Sequence, residues 1–244
     1  MIFRANFGYV VIAVVAATIS LISPQTRAET LAKQATIAGM TFDYKVILPA
    51  NYDAQKSYEA VLAFPGAGQN MRFVDSTLEA NWRKEAESRG YIVISPAAPG
   101  GVLFFQGGEK VFPEFLDQIL KDYSITGKKM HVAGVSNGGI SAFLIAASYP
   151  QYFWSVTGFP GYLESATASR VKALKPLCVF THVGENDEGW KSAMEEQAAD
   201  LRAAGLSVEF MVEPGEGHIM RSLAGDGAKR LFEHFEKARR GCGG

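Results

Sequence analysis

The sequence predicts an α/β fold in which a mostly parallel sheet is covered by helices on both faces. Short, continuous apolar segments alternate with amphipathic helical segments along most of the chain. The chain has 244 residues, of which 48% are hydrophobic and 20% are charged, and this suits one domain with a substantial core. No internal repeat or low-complexity tract argues for another organisation.

The predicted strands and helices follow one another in an order typical of such a fold. Strand-like apolar runs lie at 41–48, 60–64, 91–95, 130–133, 154–158, 177–182 and 207–212. Helical patterns lie at 78–89, 110–123, 140–149, 192–204 and 224–238. Functional residues in such folds collect in loops at the carboxyl ends of the parallel strands, so a site is expected there.

The N-terminus has the layout of a secretory signal. Arg4 precedes an apolar run over 7–22, and a small-residue site ends at Ala28. We therefore expect a signal peptide over 1–28, cleavage after Ala28, and a domain over 29–244 in the periplasm or the medium. An uncleaved anchor is the alternative, although the run is short for a membrane span of about 20 residues. No stable membrane association is expected after cleavage.

Charge and cysteine content narrow the function classes. A net charge of −1 gives no electrostatic case for nucleic-acid binding. No clustered His/Cys spacing indicates a metal, and no cofactor is expected. Cys178 lies in a predicted central strand and Cys242 in a glycine-rich tail. The favoured interpretation is a buried thiol and a loose tail, and a disulfide in an oxidising compartment is the alternative.

The segment 134–138, Gly-Val-Ser-Asn-Gly, is the strongest chemical signal. It joins a predicted strand to a predicted helix and places Ser136 at the apex of the turn. Glycines at Gly134 and Gly138 would let strand and helix approach closely, and the helix N-terminus favours developing negative charge. A phosphate-binding loop is excluded because Ile140 occupies the lysine position. A dinucleotide fingerprint at 66–71 fails because Met71 replaces its third glycine.

A serine nucleophile needs a base, and four histidines are available. His218 lies in a flexible loop between the strand 207–212 and the last helix, so it is the predicted base. His131 and His182 lie within predicted strands. His234 is on the last helix, where a solvated position is the ordinary expectation.

The predicted acid is Asp187, which follows the strand 177–182 in a tight turn. Glu185, Glu188 and Asp226 are its rivals. A carboxylate here would orient the imidazole of His218 and stabilise its charged form.

An oxyanion hole is expected in the glycine-rich loop that follows the strand 60–64. The N–H of Ala67, or alternatively that of Gly68, together with the N–H of Asn137 would bind a developing oxyanion. Substrate contacts are predicted at Gly68, Gln69, Phe105 and Trp190, with Trp190 favoured because it follows Asp187 closely.

These residues give the chain a resemblance to the α/β-hydrolase superfamily. It is similar to compact esterases of the polyhydroxybutyrate-depolymerase, feruloyl-esterase and dienelactone-hydrolase kind. The resemblance rests on the loop 66–70, the elbow 134–139, the segment 147–150 and the loops of Asp187 and His218. It implies a three-layer fold and hydrolysis of a small or polymeric ester through an acyl-enzyme, without a cofactor. Pro65 departs from the family pattern, which has histidine there.

Several functions share this fold, and the sequence leaves them open. A serine peptidase related to the prolyl-oligopeptidase catalytic domain, a thioesterase and a non-catalytic binding protein are the alternatives to an esterase. The segment 160–175 is too short for a large cap domain, which predicts a fairly open site.

Overall fold

The computed structural model describes residues 28–242, which form one eight-stranded sheet. The strands are β1 (Glu29–Ile37), β2 (Met40–Leu48), β3 (Ala60–Phe64), β4 (Ile92–Pro96), β5 (Met130–Gly134), β6 (Phe153–Gly158), β7 (Cys178–Gly184) and β8 (Ser207–Glu213). Their order is β1-β2-β4-β3-β5-β6-β7-β8. β2 is antiparallel to β1 and β4, and β3 to β8 are parallel to one another. The carboxyl ends of the parallel strands therefore meet at one edge.

The helices cover both faces of this sheet. They are α1 (Met71–Thr77), α2 (Arg83–Arg89), α3 (Glu114–Asp122), α4 (Asn137–Ser148), α5 (Ala168–Leu174), α6 (Glu188–Ala203) and α7 (Lys229–Arg240). A π-helical segment, Leu78–Trp82, joins α1 to α2. On one face, α1, the π segment, α2 and α7 bury a cluster around Trp82 and Phe235, and on the other α3, α4 and α6 bury a larger cluster. The predicted three-layer fold is confirmed.

Most differences from the predicted elements lie where sequence signals are weak. β1 was not predicted, because it is a half-exposed edge strand with polar residues rather than an apolar run. The predicted helix 110–123 starts only at Glu114, since Pro113 separates it from a short 3₁₀ turn. α6 begins four residues before its predicted start, and α5 was not predicted.

The expectation of a free thiol at Cys178 is wrong. A disulfide joins Cys178, at the start of β7, to Cys242, which follows α7. Ser207 Oγ also donates a hydrogen bond to the carbonyl of Cys242 at 3.0 Å, so the segment after α7 is attached to both β7 and β8. A glycine-rich composition was a poor guide here, because composition does not reveal a long-range covalent partner.

Nothing resembling a cap domain stands over the strand ends within residues 28–242, since the segment between β6 and β7 holds only the seven-residue α5. None of the helices in that range has the length and apolar character needed to cross a membrane. The predicted signal peptide over 1–28 lies outside the described residues, except for Ala28.

Candidate active site

Ser136 stands at a sharp turn between β5 and α4. Its backbone has φ 57° and ψ −122°, a conformation that is costly for a residue with a side chain. The turn is held because the Ser136 N–H donates to the carbonyl of Pro160 at 2.8 Å. Glycines make the turn feasible: a Cβ at Gly134 would lie 2.1 Å from the Gly138 oxygen, and one at Gly138 would lie 2.3 Å from the Phe64 oxygen. The close approach expected from the sequence is present.

The structure brings Ser136, His218 and Asp187 into one hydrogen-bonded chain. His218 Nδ1 lies 2.7 Å from Asp187 Oδ2, and His218 Nε2 lies 2.8 Å from Ser136 Oγ. A carboxylate only accepts, so Nδ1 carries the proton in the neutral ring and Nε2 accepts from the serine hydroxyl. Asp187 is only 14% exposed, whereas His218 is 37% exposed. The carboxylate is thus largely shielded from solvent, whereas the imidazole is partly exposed.

The loops that carry Asp187 and His218 are bonded to each other. The Asn186 N–H donates to the Glu216 carbonyl at 2.8 Å, and the Glu185 N–H donates to the Glu213 carbonyl at 3.0 Å. A Cβ at Gly184 would lie 2.2 Å from the Gly217 oxygen, so the two loops are in direct backbone contact. The separation between Asp187 and His218 is therefore set by the ends of β7 and β8.

The rival acids have other partners. The Glu185 carboxylate accepts from the Gly215 N–H at 2.8 Å, and Glu188 pairs with Lys191 at 3.2 Å. Asp226 forms an ion pair with Lys84. Among these carboxylates, Asp187 is the one bonded to His218.

The glycine-rich loop after β3 approaches Ser136 from the other side. Ala67 has φ 50°, and its carbonyl accepts from Asn137 Nδ2 at 2.9 Å. In the part of the chain that the structure describes, the backbone N–H groups of Ala67 and Asn137 have no carbonyl acceptor. Gly66 packs against the elbow, since a Cβ there would lie 3.6 Å from the Ser136 Cβ. Two free donors thus border the serine.

Gln69, a predicted substrate contact, is not among the residues that line the cleft at Ser136. Its side chain is fully buried: Nε2 donates to Ser141 Oγ at 2.9 Å, and Oε1 accepts from the Phe104 N–H at 3.0 Å. Gln69 therefore fastens the loop to α4 and to the segment after β4. Its backbone, with φ 50°, adopts a left-handed conformation that the buried side chain helps to hold.

The remaining predicted substrate contacts are divided. Trp190 packs against the His218 ring at a centroid distance of 5.2 Å, so it borders the serine site. Phe105 instead lines a small pocket with Arg170. Gly68 is exposed but is not part of the cleft at Ser136, which the Ala67 side of the loop borders.

A cleft of about 470 Å³ opens beside Ser136, and sequence reasoning missed most of its walls. Its other lining residues are Gly66, Ala67, Phe73, Ser76, Thr77, Ala80, Asn81, Val135, His218 and Ile219. The spacing 73, 76, 77, 80 marks one face of a helix, which is the signal that could have found them. The predicted helix began at 78, so the lining residues before that position were not assigned to a helix.

Beneath the loops of Asp187 and His218 lies a second buried network. Glu213 Oε1 lies 2.7 Å from His182 Nδ1, and both carboxylate oxygens accept from Arg230 at 2.6 and 2.7 Å. His182 Nε2 lies 2.8 Å from His234 Nε2. Because His182 donates through Nδ1 to the carboxylate, its Nε2 accepts, and His234 is the donor. The sequence predicted a solvated position for His234, but the side chain is half-buried. Its ring stacks on that of Phe180 with a centroid distance of 4.3 Å.

Hydrogen bonding and burial shift the pKa values of the groups in this network and of the separately buried His131. Hydrogen bonds from His182 and Arg230 lower the pKa of Glu213 to about 2. Burial lowers the pKa of His182, and burial together with the nearby His182 lowers that of His234 to about 3. His131 is fully buried under Phe235, and burial lowers its pKa to about 3. These three histidines are neutral at physiological pH.

No group of three or more His, Cys, Asp and Glu side chains suited to a metal occurs within residues 28–242.

Comparison with known proteins identifies the fold. No protein-family model matches the chain. Among solved structures, a ferulic acid esterase has a TM-score of 0.65 and 18% identity, covering 89% of this chain and 100% of that one. The feruloyl esterase module from Clostridium thermocellum complexed with sinapinate has a TM-score of 0.63 and 18% identity, and the match covers 80% of this chain and 83% of that one. An S-formylglutathione hydrolase from Agrobacterium tumefaciens has a TM-score of 0.62 and 14% identity, covering 88% and 95%. The chain has the α/β-hydrolase fold, as its resemblance implied.

Two curated sequences are similar to part of the chain. Dipeptidyl-peptidase 5 from Porphyromonas gingivalis is 30% identical over 120 residues, covering 44% of this chain and 17% of that protein. Dipeptidyl-peptidase 5 from Porphyromonas endodontalis is 25% identical over 220 residues, covering 71% and 32%. The chain thus spans less than a third of the length of the curated relatives it matches.

Proposed function

We propose that the protein is a serine hydrolase that cleaves carboxylic esters, small or polymeric, through an acyl-enzyme. The observation that carries this proposal is the hydrogen-bonded chain from Ser136 Oγ through His218 to Asp187. Nucleophile, base and orienting acid in contact are the signature of activated-serine chemistry. The strained Ser136 backbone at the N-terminus of α4 supports the same role.

Each residue then has a defined step. Ser136 Oγ attacks the ester carbonyl carbon while His218 Nε2 takes the hydroxyl proton. Asp187 remains ionised and stabilises the imidazolium through Nδ1–H. The tetrahedral oxyanion accepts from the N–H groups of Ala67 and Asn137, and such donors are each worth roughly 10²–10³ in rate. When the tetrahedral intermediate collapses, the bond between the carbonyl carbon and the alcohol oxygen breaks, and His218 Nε2–H protonates the leaving alcohol.

The second half regenerates the enzyme. His218 removes a proton from water, the resulting hydroxide adds to the acyl carbon, and the Ser136 oxygen leaves with the proton from His218. The products are a carboxylic acid and an alcohol, and none of these steps calls on a metal or cofactor.

A peptidase is the second candidate, because the curated relatives are named dipeptidyl-peptidases. A dipeptide-removing enzyme has to recognise a free, charged amino terminus, which calls for carboxylates beside the nucleophile. The cleft at Ser136 is lined by no Asp or Glu within residues 28–242. This favours esters over peptides with a free amino terminus.

We also propose that the protein is exported. The disulfide Cys178–Cys242 is typical of oxidising compartments, and the N-terminal signal pattern agrees with it. Expression with the native leader, followed by N-terminal sequencing of the exported protein, should return Glu29 as the first residue. Retention of the leader would support the uncleaved anchor.

The decisive experiment is intact mass after treatment with a fluorophosphonate, with Ser136→Ala as the control. The wild type should gain one adduct and the variant none. Ester turnover should fall by roughly 10⁴-fold or more in the variant while its thermal unfolding stays unchanged. Esters, thioesters and dipeptide amides assayed side by side then rank the candidate reactions. Failure of well-folded wild type to label would overturn the proposal in favour of a non-catalytic binding protein.

A further inference from the structure

The cleft beside Ser136 is built by one face of the α1 helix and the π segment. Phe73, Ser76, Thr77 and Ala80 follow the spacing at which side chains share one helical face. Three of these four are small, so the helix leaves an open space where larger side chains would fill it. The opposite walls come from Val135 and from the loop of His218.

The π segment ties this wall to the base loop. Asn81 lies within it, and Asn81 Nδ2 donates to the carbonyl of Leu223 at 2.8 Å. Leu223 follows His218 in the same connection to α7. π-helical turns are rare in proteins, and those that occur often lie at functional sites. The wall of the cleft is thus hydrogen-bonded to the connection that carries His218.

The chemistry of the walls is apolar and uncharged. Phe73, Val135 and Ile219 provide the apolar surface, and Ile219 remains 68% exposed beside His218. The Ser76 hydroxyl donates to the Phe73 carbonyl at 3.1 Å, so its proton is already used. Within the described part of the chain, no Lys, Arg, Asp or Glu lines this cleft. A charged group placed there would lose hydration without gaining a partner.

We propose that this cleft binds an uncharged apolar group of the substrate, of the size of a phenyl ring or a hexanoyl chain, and that the small side chain of Ala80 leaves the space for it. This rests on the proposed function, since it assigns part of the ester to the space beside Ser136. The volume of about 470 Å³ lies within the usual range for small-molecule sites. Ile219, exposed at the rim, extends the apolar surface that the ester would cover.

Filling the cleft tests the assignment. Ala80→Phe places a ring in the space, and Ala199→Phe, at an exposed position on α6, is the matched control. With p-nitrophenyl acetate, butyrate, hexanoate and benzoate, Ala80→Phe should lower kcat/KM for hexanoate and benzoate by about tenfold or more. Acetate, which is too short to fill this space, should lose less than hexanoate and benzoate, so the ratio of kcat/KM for hexanoate to that for acetate should fall, whereas the control should leave the ratios between the four esters unchanged. An unchanged profile in Ala80→Phe would overturn the assignment.

Charge provides a second test. A hexanoyl ester and the matching adipoyl monoester differ by one terminal carboxylate, and wild type should prefer the neutral ester by about tenfold or more. Ala80→Lys should reduce or reverse that preference, whereas Ala199→Lys should not. Equal rates for both esters in wild type would overturn the uncharged character of the site.

Binding separates this proposal from the proposed function. Titration calorimetry of Ser136→Ala with p-nitrophenyl hexanoate measures the cleft without turnover, and adding Ala80→Phe should abolish the heat. If wild type fails to label with fluorophosphonate while this binding and its loss are observed, the function fails and the cleft assignment stands. If wild type labels and binding is unaffected by Ala80→Phe, the assignment fails and the function stands.

Discussion

Replacing Glu213 by glutamine should destabilise the protein by about 3 kcal/mol at neutral pH. The carboxylate is 4% exposed and accepts from His182, from Ser222 and, with both oxygens, from Arg230. In whichever way a glutamine amide is oriented, its NH₂ faces an arginine donor. Lowering the pKa from 4.5 to about 2 corresponds to about 3 kcal/mol of stability. Removing one partner of a buried ion pair costs a similar amount.

The pH dependence has a defined sign. Because the pKa of Glu213 is lower in the folded state, its contribution is present above about pH 4.5 and is lost as the pH falls towards 2. The stability difference between wild type and Glu213→Gln should therefore shrink over that window. Urea unfolding of both proteins at neutral pH and in steps below about pH 5 measures this difference in unfolding free energy.

The matched control is Glu209→Gln on the same strand. Glu209 pairs with Lys237 at 2.8 Å, but both side chains are more than a third exposed, so the loss should stay below about 1 kcal/mol. Equal stability of the two variants at neutral pH would refute this account of the buried network.

Three further predictions follow from buried groups and close contacts. Burial lowers the pKa of His131 to about 3, so stability should fall as the pH drops from about 6.5 towards 3. His131→Phe should reduce the change in unfolding free energy with pH by about 1.4 kcal/mol per pH unit, measured by urea unfolding. An unchanged pH dependence would contradict the buried, neutral state of His131. Replacing Cys178 and Cys242 by serine should cost about 2–4 kcal/mol in thermal unfolding, and reductant should then have no further effect. Gly134→Ala should abolish soluble, active protein, because its Cβ would lie 2.1 Å from a carbonyl oxygen of α4. Gly189→Ala on α6, where a Cβ meets open space, should fold normally; equal behaviour of the two would argue against the tight elbow.

The parallel core of the sheet was predictable from the sequence because its strands are buried on both faces. β3, β4 and β5 consist of continuous buried residues, which is the pattern that apolar runs reveal. β1 could not be found in that way, since only two of its residues are buried and its place is fixed by pairing with β2. Edge strands are specified by their neighbours more than by their own composition.

The serine site was predictable for a different reason. Ser136, Asp187 and His218 each follow a parallel strand, and the fold gathers those strand ends at one edge. The cleft walls were not predictable in the same way, because Phe73 and Ala80 belong to a helix whose start was misplaced. Gln69 looked like a substrate contact because polar residues in loops usually face solvent. Its burial depends on the contact with Ser141, a residue 72 positions away.

Trp190 gives the site an optical reporter of its own. The indole lies in ring contact with His218, whereas Trp82 is buried among Phe159, Phe232 and Phe235. An acyl group on Ser136 changes the surroundings of this indole, so formation and hydrolysis of the acyl-enzyme should change the emission of Trp190. Stopped-flow fluorescence, with Trp190→Phe as the blank, would then follow acylation and deacylation in real time without a coloured substrate.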